Sequence, residues 1–84
     1  MSPDEWAAEA HRIRAGGGSI VDIARALRAY GESGGRKINA AAAFGSHHGW
    51  LVRQKLELLS WTEGGVTDGE LMAFVSSWFG PAEP

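Results

Sequence analysis

The chain has no cysteine among its 84 residues. This absence excludes disulfide bonds and thiolate metal sites, so a domain of this size has to be stabilised by helix packing, by a partner or by self-association. No run of residues approaches the roughly 20 apolar residues that a membrane span needs, and the first residues carry Asp4 and Glu5 instead of the basic and apolar segments of a secretion signal. We therefore expect a cytoplasmic protein that does not enter a membrane.

An excess of positive charge is also lacking, because the formal net charge is −2. The charges are unevenly spread, however. Residues 10–48 carry six basic and two acidic side chains, whereas residues 49–84 carry two basic and five acidic ones. A chain with net negative charge has no general attraction for nucleic acid, but its basic middle allows a local anion-binding face.

The sequence lacks the usual signatures of an active site. No nucleophile, base and orienting group occur together, and no Gly-Lys-Ser/Thr ending follows the glycine runs. His47 and His48 are adjacent, but His11 is far from them in sequence, so the spacing of a known metal site is absent. We predict no enzymatic activity, no cofactor and no metal site, with a polar loop over residues 45–49.

Alternating β-branched residues, which are typical of strands, are absent. Apolar residues instead recur at helical spacing, and a chain of 84 residues has apolar surface for one core. The sequence therefore predicts a single all-α domain over residues 1–84, built as a compact bundle of four to five short helices.

The helix starts carry recognisable capping signals. Three of them have the spacing of a reciprocal capping box, at Ser2/Glu5, Ser19/Asp22 and Thr67/Glu70. Ser33 is predicted to cap a further, alanine-rich helix over Arg36–Phe44, and another helix is predicted from about Trp50 to Trp61. Glycine runs separate all of these segments and end the helices.

The apolar positions of each segment predict which face is buried. The expected core positions are Trp6, Ala10 and Ile13; Ile20, Ile23, Ala24 and Leu27; Ile38, Ala41 or Ala42, and Phe44; Val52, Leu56 and Leu59; and Leu71, Met72, Val75, Trp78 and Phe79. In the fourth segment Leu51, Leu58 and Trp61 widen the apolar face. A helix that is apolar over so much of its circumference is either central in the bundle or in contact with a partner.

One stretch suggests a family. The run Gly18-Ser19-Ile20-Val21-Asp22-Ile23-Ala24-Arg25-Ala26-Leu27 resembles the turn and second helix of bacterial homeodomain-like helix-turn-helix proteins, and the resemblance covers roughly residues 6–44. It implies that Ala24 lets the third helix pack closely across the second. It also implies that the third helix enters the major groove of DNA, which assigns base or phosphate contacts to Arg36, Lys37 and Asn39.

Further residues of the basic middle extend this expected DNA-binding surface. Arg25 and Arg28 are candidate phosphate contacts, and Ser33 with the first amides of the third helix is a candidate phosphate site. An ordinary solvated helix face is an equally good interpretation of Arg36, Lys37 and Asn39, and it is the commoner explanation for any single arginine such as Arg25 or Arg28. The leading functional hypothesis is a small bacterial or phage regulator that binds DNA.

The aromatic residues of the second half support an alternative. Four tryptophans are many for a domain of this length, and aromatic surface that stays exposed is typical of interfaces. Trp61, Trp78 and Phe79 are therefore candidate interface residues within the C-terminal helical pair, residues 50–79. On this alternative the protein is a small helical adaptor or inhibitor that acts through its aromatic or acidic C-terminal face. It would bind another protein, for example a basic one, or a second copy of itself.

Overall fold

The computed structural model describes residues 1–75. Five α-helices follow one another along this part of the chain: α1 (Pro3–Ala15), α2 (Ile20–Glu32), α3 (Lys37–His47), α4 (Val52–Thr62) and α5 (Asp68–Val75). No strand occurs in residues 1–75, and the predicted all-α bundle is confirmed. Two residues of the predicted last helix, Trp78 and Phe79, lie outside the described residues.

The predicted capping boxes form at α1, α2 and α5, at Ser2/Glu5, Ser19/Asp22 and Thr67/Glu70. At α1, the Glu5 amide donates to the Ser2 hydroxyl oxygen at 3.1 Å, and the Ser2 amide donates to the Glu5 carboxylate at 2.9 Å. These bonds satisfy amides that have no carbonyl partner inside the helix. The three boxes therefore determine where these helices begin.

The first four helices all end in the same motif. Each is followed by a glycine with positive φ, at Gly17, Gly34, Gly49 and Gly64. The amide after that glycine donates to the carbonyl five residues before it, as Gly35 does to Tyr30 at 2.9 Å. This is the Schellman motif, which uses the left-handed conformation that glycine adopts without steric cost. The recurring glycines of the sequence are thus the stop signals of its helices.

All five helices contribute side chains to the core. The largest fully buried side chains are Trp6, Ile23, Leu27, Phe44, Leu58 and Leu71. The rings of Trp6 and Phe44 meet edge to face with their centroids 6.1 Å apart. Ala10, Ala24 and Ala40 are fully buried, and such small side chains let the helices approach closely. The apolar row predicted for α2 is buried throughout, which confirms that part of the predicted core.

The third helix begins and ends later than predicted. The prediction was Arg36–Phe44 with Ser33 as the cap, whereas α3 spans Lys37–His47 and Arg36 is its N-cap without a capping side chain. Ser33 instead closes α2, where its hydroxyl donates to the carbonyl of Tyr30 at 2.9 Å. The predicted loop over residues 45–49 was also wrong in part, because α3 continues through His47.

The predicted core rows of α3, α4 and α5 were wrong in part. Ala41, Phe44 and Leu71 are buried as predicted, whereas Met72 on α5 is 53% exposed. On α4 the buried residues are Leu58 and Trp61, whereas Val52 and Leu56 of the predicted core row are 70% and 56% exposed. Ile38 on α3 is likewise 69% exposed. The reason is that α4 carries apolar residues on two sides, and helical spacing alone does not tell which side faces the core.

Two polar contacts connect α4 with its neighbours α2 and α5. The indole N–H of Trp61 donates to the carboxylate of Asp68 at 2.7 Å. On its other side, the Arg28 guanidinium of α2 lies 4.6 Å from the centroid of the Trp61 ring, which is a cation–π contact. Trp61 therefore links three helices.

Candidate functional site

Three residues predicted to contact DNA, namely Arg25, Arg28 and Ser33, make contacts within the chain itself. Arg25 forms an ion pair with Asp22 of its own helix at 3.7 Å. Arg28 lies over the Trp61 ring, and Ser33 bonds the end of α2. All three residues are exposed, but the side chain of each already contacts another group of the same chain.

Lys37 joins the start of α3 to the end of α4. Its ammonium donates to the Glu63 carboxylate at 2.6 Å and to the Thr62 hydroxyl at 3.1 Å. Its aliphatic stem lies against Gly31 of α2, so closely that a Cβ there would stand 2.6 Å from it. The predicted DNA contact is therefore a half-buried ion pair that ties three helices together.

Arg36 and Asn39 are exposed at the beginning of α3 and line an open groove. The groove lies between α3 and α4, has a volume of about 540 Å³, and is lined by Arg36, Lys37, Ile38, Asn39, Leu59 and Glu63. We call it the α3–α4 groove. It brings three of the predicted DNA-contact residues, Arg36, Lys37 and Asn39, together with apolar side chains that the sequence assigned to the core.

An exposed apolar row continues from this groove along α4. Val52, Leu56 and Leu59 are four and three residues apart, so they follow one line along the helix surface. Val52 and Leu56 are exposed, and Leu59 is partly buried against the core. Leu59 lies in the groove itself, opposite Ile38 of α3. We call Ile38, Val52, Leu56 and Leu59 together the apolar strip.

Basic side chains outnumber acidic ones beside the apolar strip, with Arg36, Lys37, Arg53 and Lys55 against Glu57 and Glu63. Arg36 lies at the groove and Arg53 follows Val52 on α4, and both are exposed. Neither of them takes part in the ion pairs formed within residues 1–75. The acidic side chain of the groove, Glu63, is neutralised by Lys37. The apolar strip therefore has a basic edge, formed by Arg36 at the groove and Arg53 at the start of α4.

The predicted aromatic interface is placed differently. Trp61 is buried, and its indole is bonded to Asp68, so it belongs to the core and not to an exposed surface. Trp78 and Phe79 lie outside the described residues. The exposed apolar surface of residues 1–75 is instead aliphatic along the strip, with Met72 and Phe74 exposed on α5.

Three histidines that are distant in sequence meet at one end of the bundle. The ring of His11 on α1 lies 4.4 Å from that of His47 and 5.0 Å from that of His48, centroid to centroid. His48 also packs on Phe44 at 4.8 Å and on Trp50 at 6.2 Å. The sequence offers no signal for this cluster, because it depends on how the end of α3 crosses α1.

The surroundings of His11 and His48 disfavour protonation of these two imidazoles. Burial lowers the pKa of His48 to about 4, and the positive charges of His11, Arg14 and His47 act in the same direction. Burial, followed by His47 and Arg14, also lowers the pKa of His11. An imidazole held in its neutral form packs as an aromatic ring, as the contacts with Phe44 indicate.

The described part of the chain contains neither a metal-binding cluster nor a membrane-spanning helix. No three His, Cys, Asp or Glu side chains in this part of the chain are placed so that they could hold a metal ion. Within the same residues, none of the helices has the length and apolar character needed to cross a membrane.

Comparison of the chain with protein-family models, curated proteins and solved structures finds no match.

Proposed function

We propose that this protein is a small helical module that binds another protein through the α3–α4 groove and the apolar strip. The observation that supports this is the exposure of Ile38, Val52 and Leu56, at 69%, 70% and 56%, beside an open groove. A small domain gains stability by burying such side chains, and contiguous apolar surface that stays exposed is typical of a binding site. Polar and charged residues surround it, as at the rim of most protein interfaces.

Site-specific photo-crosslinking tests the proposal. A benzophenone amino acid is introduced at Leu56, or at the exposed α1 position Ala8 as a control, and the protein is irradiated in an extract of its source cells. The partner identified in the adduct is then purified by itself, without the crosslink. Its affinity for the unlabelled chain is measured by titration calorimetry. We expect one main adduct from position 56 and none in common with position 8.

A charged substitution in the apolar strip then tests whether the partner binds to this surface. Leu56→Glu is expected to weaken the purified complex by at least about tenfold, because burying a leucine contributes about 1.5–3 kcal/mol and each 1.4 kcal/mol is a factor of ten. Ala8→Glu adds the same charge to α1 and is expected to leave the affinity unchanged. Equal affinities for the wild type and Leu56→Glu would refute the docking surface.

DNA binding is a second candidate, supported by a different observation. Helices α1 to α3 form a three-helix unit in which Ala24 is fully buried, as the helix-turn-helix resemblance implies. Arg25, Arg36 and Asn39 are exposed on its α2 and α3. Against it stands Lys37, whose charge is already paired with Glu63.

A mobility-shift titration with mixed duplex DNA tests this second candidate. If Arg25, Arg28 and Arg36 each neutralise one phosphate, affinity should fall roughly 40-fold between 50 and 200 mM salt, and Arg36→Ala should flatten that dependence. Absence of any shift at 50 mM salt would exclude the candidate. Retention of full salt-dependent binding in Arg36→Ala would exclude this surface.

A further inference from the structure

We infer that the occupant of the α3–α4 groove is an amphipathic helix with acidic residues beside its apolar stripe. The inference rests on the proposed function and specifies the partner's chemistry. The shape of the groove follows from the directions of α3 and α4. Lys37 at the start of α3 bonds Glu63 after the end of α4, while the carbonyl of Gly45 near the end of α3 accepts the amide of Trp50 before α4 at 2.8 Å. The two helices are therefore antiparallel, and the groove lies between the start of α3 and the end of α4, with the apolar strip continuing from it along α4.

A third helix fits such a groove. Helices pack by placing the side-chain ridges of one into the groove between others, and helix-in-groove binding uses anchors at positions i, i+3 or i+4, and i+7. Leu59 lies seven positions after Val52, so the row is about 10 Å long at a rise of 1.5 Å per residue. Two turns of a bound helix cover that length, so two or three apolar anchors would meet the apolar strip.

Charge indicates the sign of the partner. Arg36 and Arg53 are exposed beside the strip, and within the described part of the chain neither is engaged in an ion pair. Lys37 already neutralises Glu63, the acidic side chain that lines the groove. Carboxylates on the partner's flanks would meet two free guanidinium groups, whereas lysines there would be repelled.

The same charges argue against a second copy of this chain as the occupant. In a two-fold symmetric dimer, a patch contacts its own copy. The strip would then place the Arg36 and Arg53 of one copy close to those of the other, and Glu63, the exposed carboxylate that lines the groove, is already paired with Lys37 of its own chain. Like charges across an interface disfavour the pairing.

Fluorescence anisotropy with three labelled synthetic peptides tests the inference on the full chain. All three are 18 residues long. The first carries a leucine stripe at helical spacing with glutamates beside it, the second has lysines in place of the glutamates, and the third is a scrambled version of the first that has no stripe. At 150 mM salt we expect the glutamate peptide to bind at least about tenfold more tightly than the lysine peptide. The scrambled peptide should bind at least as weakly as the lysine peptide.

Neutralising the basic edge should abolish this preference. We expect the double variant R36Q/R53Q to reduce the advantage of the glutamate peptide to less than about threefold, because solvent-exposed ion pairs each contribute a few-fold in affinity. The matched control R25Q removes an exposed arginine from α2, away from the groove, and should leave the preference unchanged. Leu56→Glu should weaken the binding of the glutamate peptide at least tenfold.

The outcomes separate the inference from the proposed function. Equal binding of the glutamate and lysine peptides, both lost in Leu56→Glu, would overturn the acidic partner while leaving the docking surface intact. Binding of the scrambled peptide as tightly as the first would overturn the helix. A concentration-dependent dimer in sedimentation that dissociates in Leu56→Glu would make a second copy the occupant and overturn the inference.

Discussion

Lowering the pH from 7 to 5 is expected to destabilise the fold through His48. In the folded protein, burial and the neighbouring positive charges lower the pKa of this imidazole to about 4, against 6.5 for the free side chain. At pH 5 an unfolded chain has this histidine about 97% protonated, whereas the folded chain has it about 10% protonated. The unfolded state therefore binds more protons, so stability is fully present above about pH 6.5 and is lost as the pH falls towards 4.

The size of the loss follows from the two pKa values. By linkage, a histidine with these values reduces the free energy of unfolding by about 2 kcal/mol between pH 7 and 5. His48 is only partly buried, and solvent screens the charges around it, so we expect roughly half of this, about 1 kcal/mol. For a domain of this size that corresponds to a fall in Tm of about 4–8 °C. His11, whose pKa is also lowered, adds a loss in the same direction.

Thermal unfolding followed by circular dichroism at 222 nm measures this loss, and an NMR titration of the imidazole signals assigns it. His48→Gln should lose clearly less stability than the wild type between pH 7 and 5. His47→Gln removes an exposed ring of the same cluster and should retain most of the wild-type loss. Keeping the pH at or above 5 avoids most carboxylate titration. A His48 signal that titrates near 6.5, with equal losses in the wild type and His48→Gln, would refute the reasoning.

Two stability changes away from the cluster can be predicted from the local geometry. Ser19→Ala removes the side chain that accepts the Asp22 amide at 3.3 Å and should cost about 1 kcal/mol in urea unfolding; an unchanged midpoint would show that the cap does not stabilise α2. Gly35→Ala would place a Cβ 2.4 Å from the Tyr30 ring and should cost about 1–3 kcal/mol. Its control, Gly69→Ala in α5, meets nothing within 4 Å and should stabilise the protein by up to about 1 kcal/mol; equal effects of the two alanines would contradict the steric argument.

The local parts of the fold could be predicted from the sequence, because their causes are local. The capping box of Ser19 and Asp22 involves residues three apart, so the printed sequence already contains both partners. The buried face of α2 was equally predictable, since a single apolar row contains Ile23 and Leu27, and polar residues occupy much of the rest.

The candidate site could not be predicted in the same way. On α4 both the Leu56 side and the Leu58 side are apolar, and only packing against α2 and α3 selects Leu58 for the core. The ion pair between Lys37 and Glu63 joins residues 26 positions apart, and the contact of His11 with His48 depends on the crossing of two helices. Each is decided by tertiary geometry that no short sequence pattern encodes.

The ion pair of Lys37 with Glu63 also bears on how fast and how tightly the groove can bind. It holds one end of the antiparallel pair of helices, while the bond from the Trp50 amide to Gly45 holds the other end. The width of the groove is then set before a ligand arrives, so little conformational entropy remains to be lost on the protein's side. For the proposed ligands we therefore expect binding without a slow rearrangement of the groove, and differences in affinity that appear mainly in their residence times.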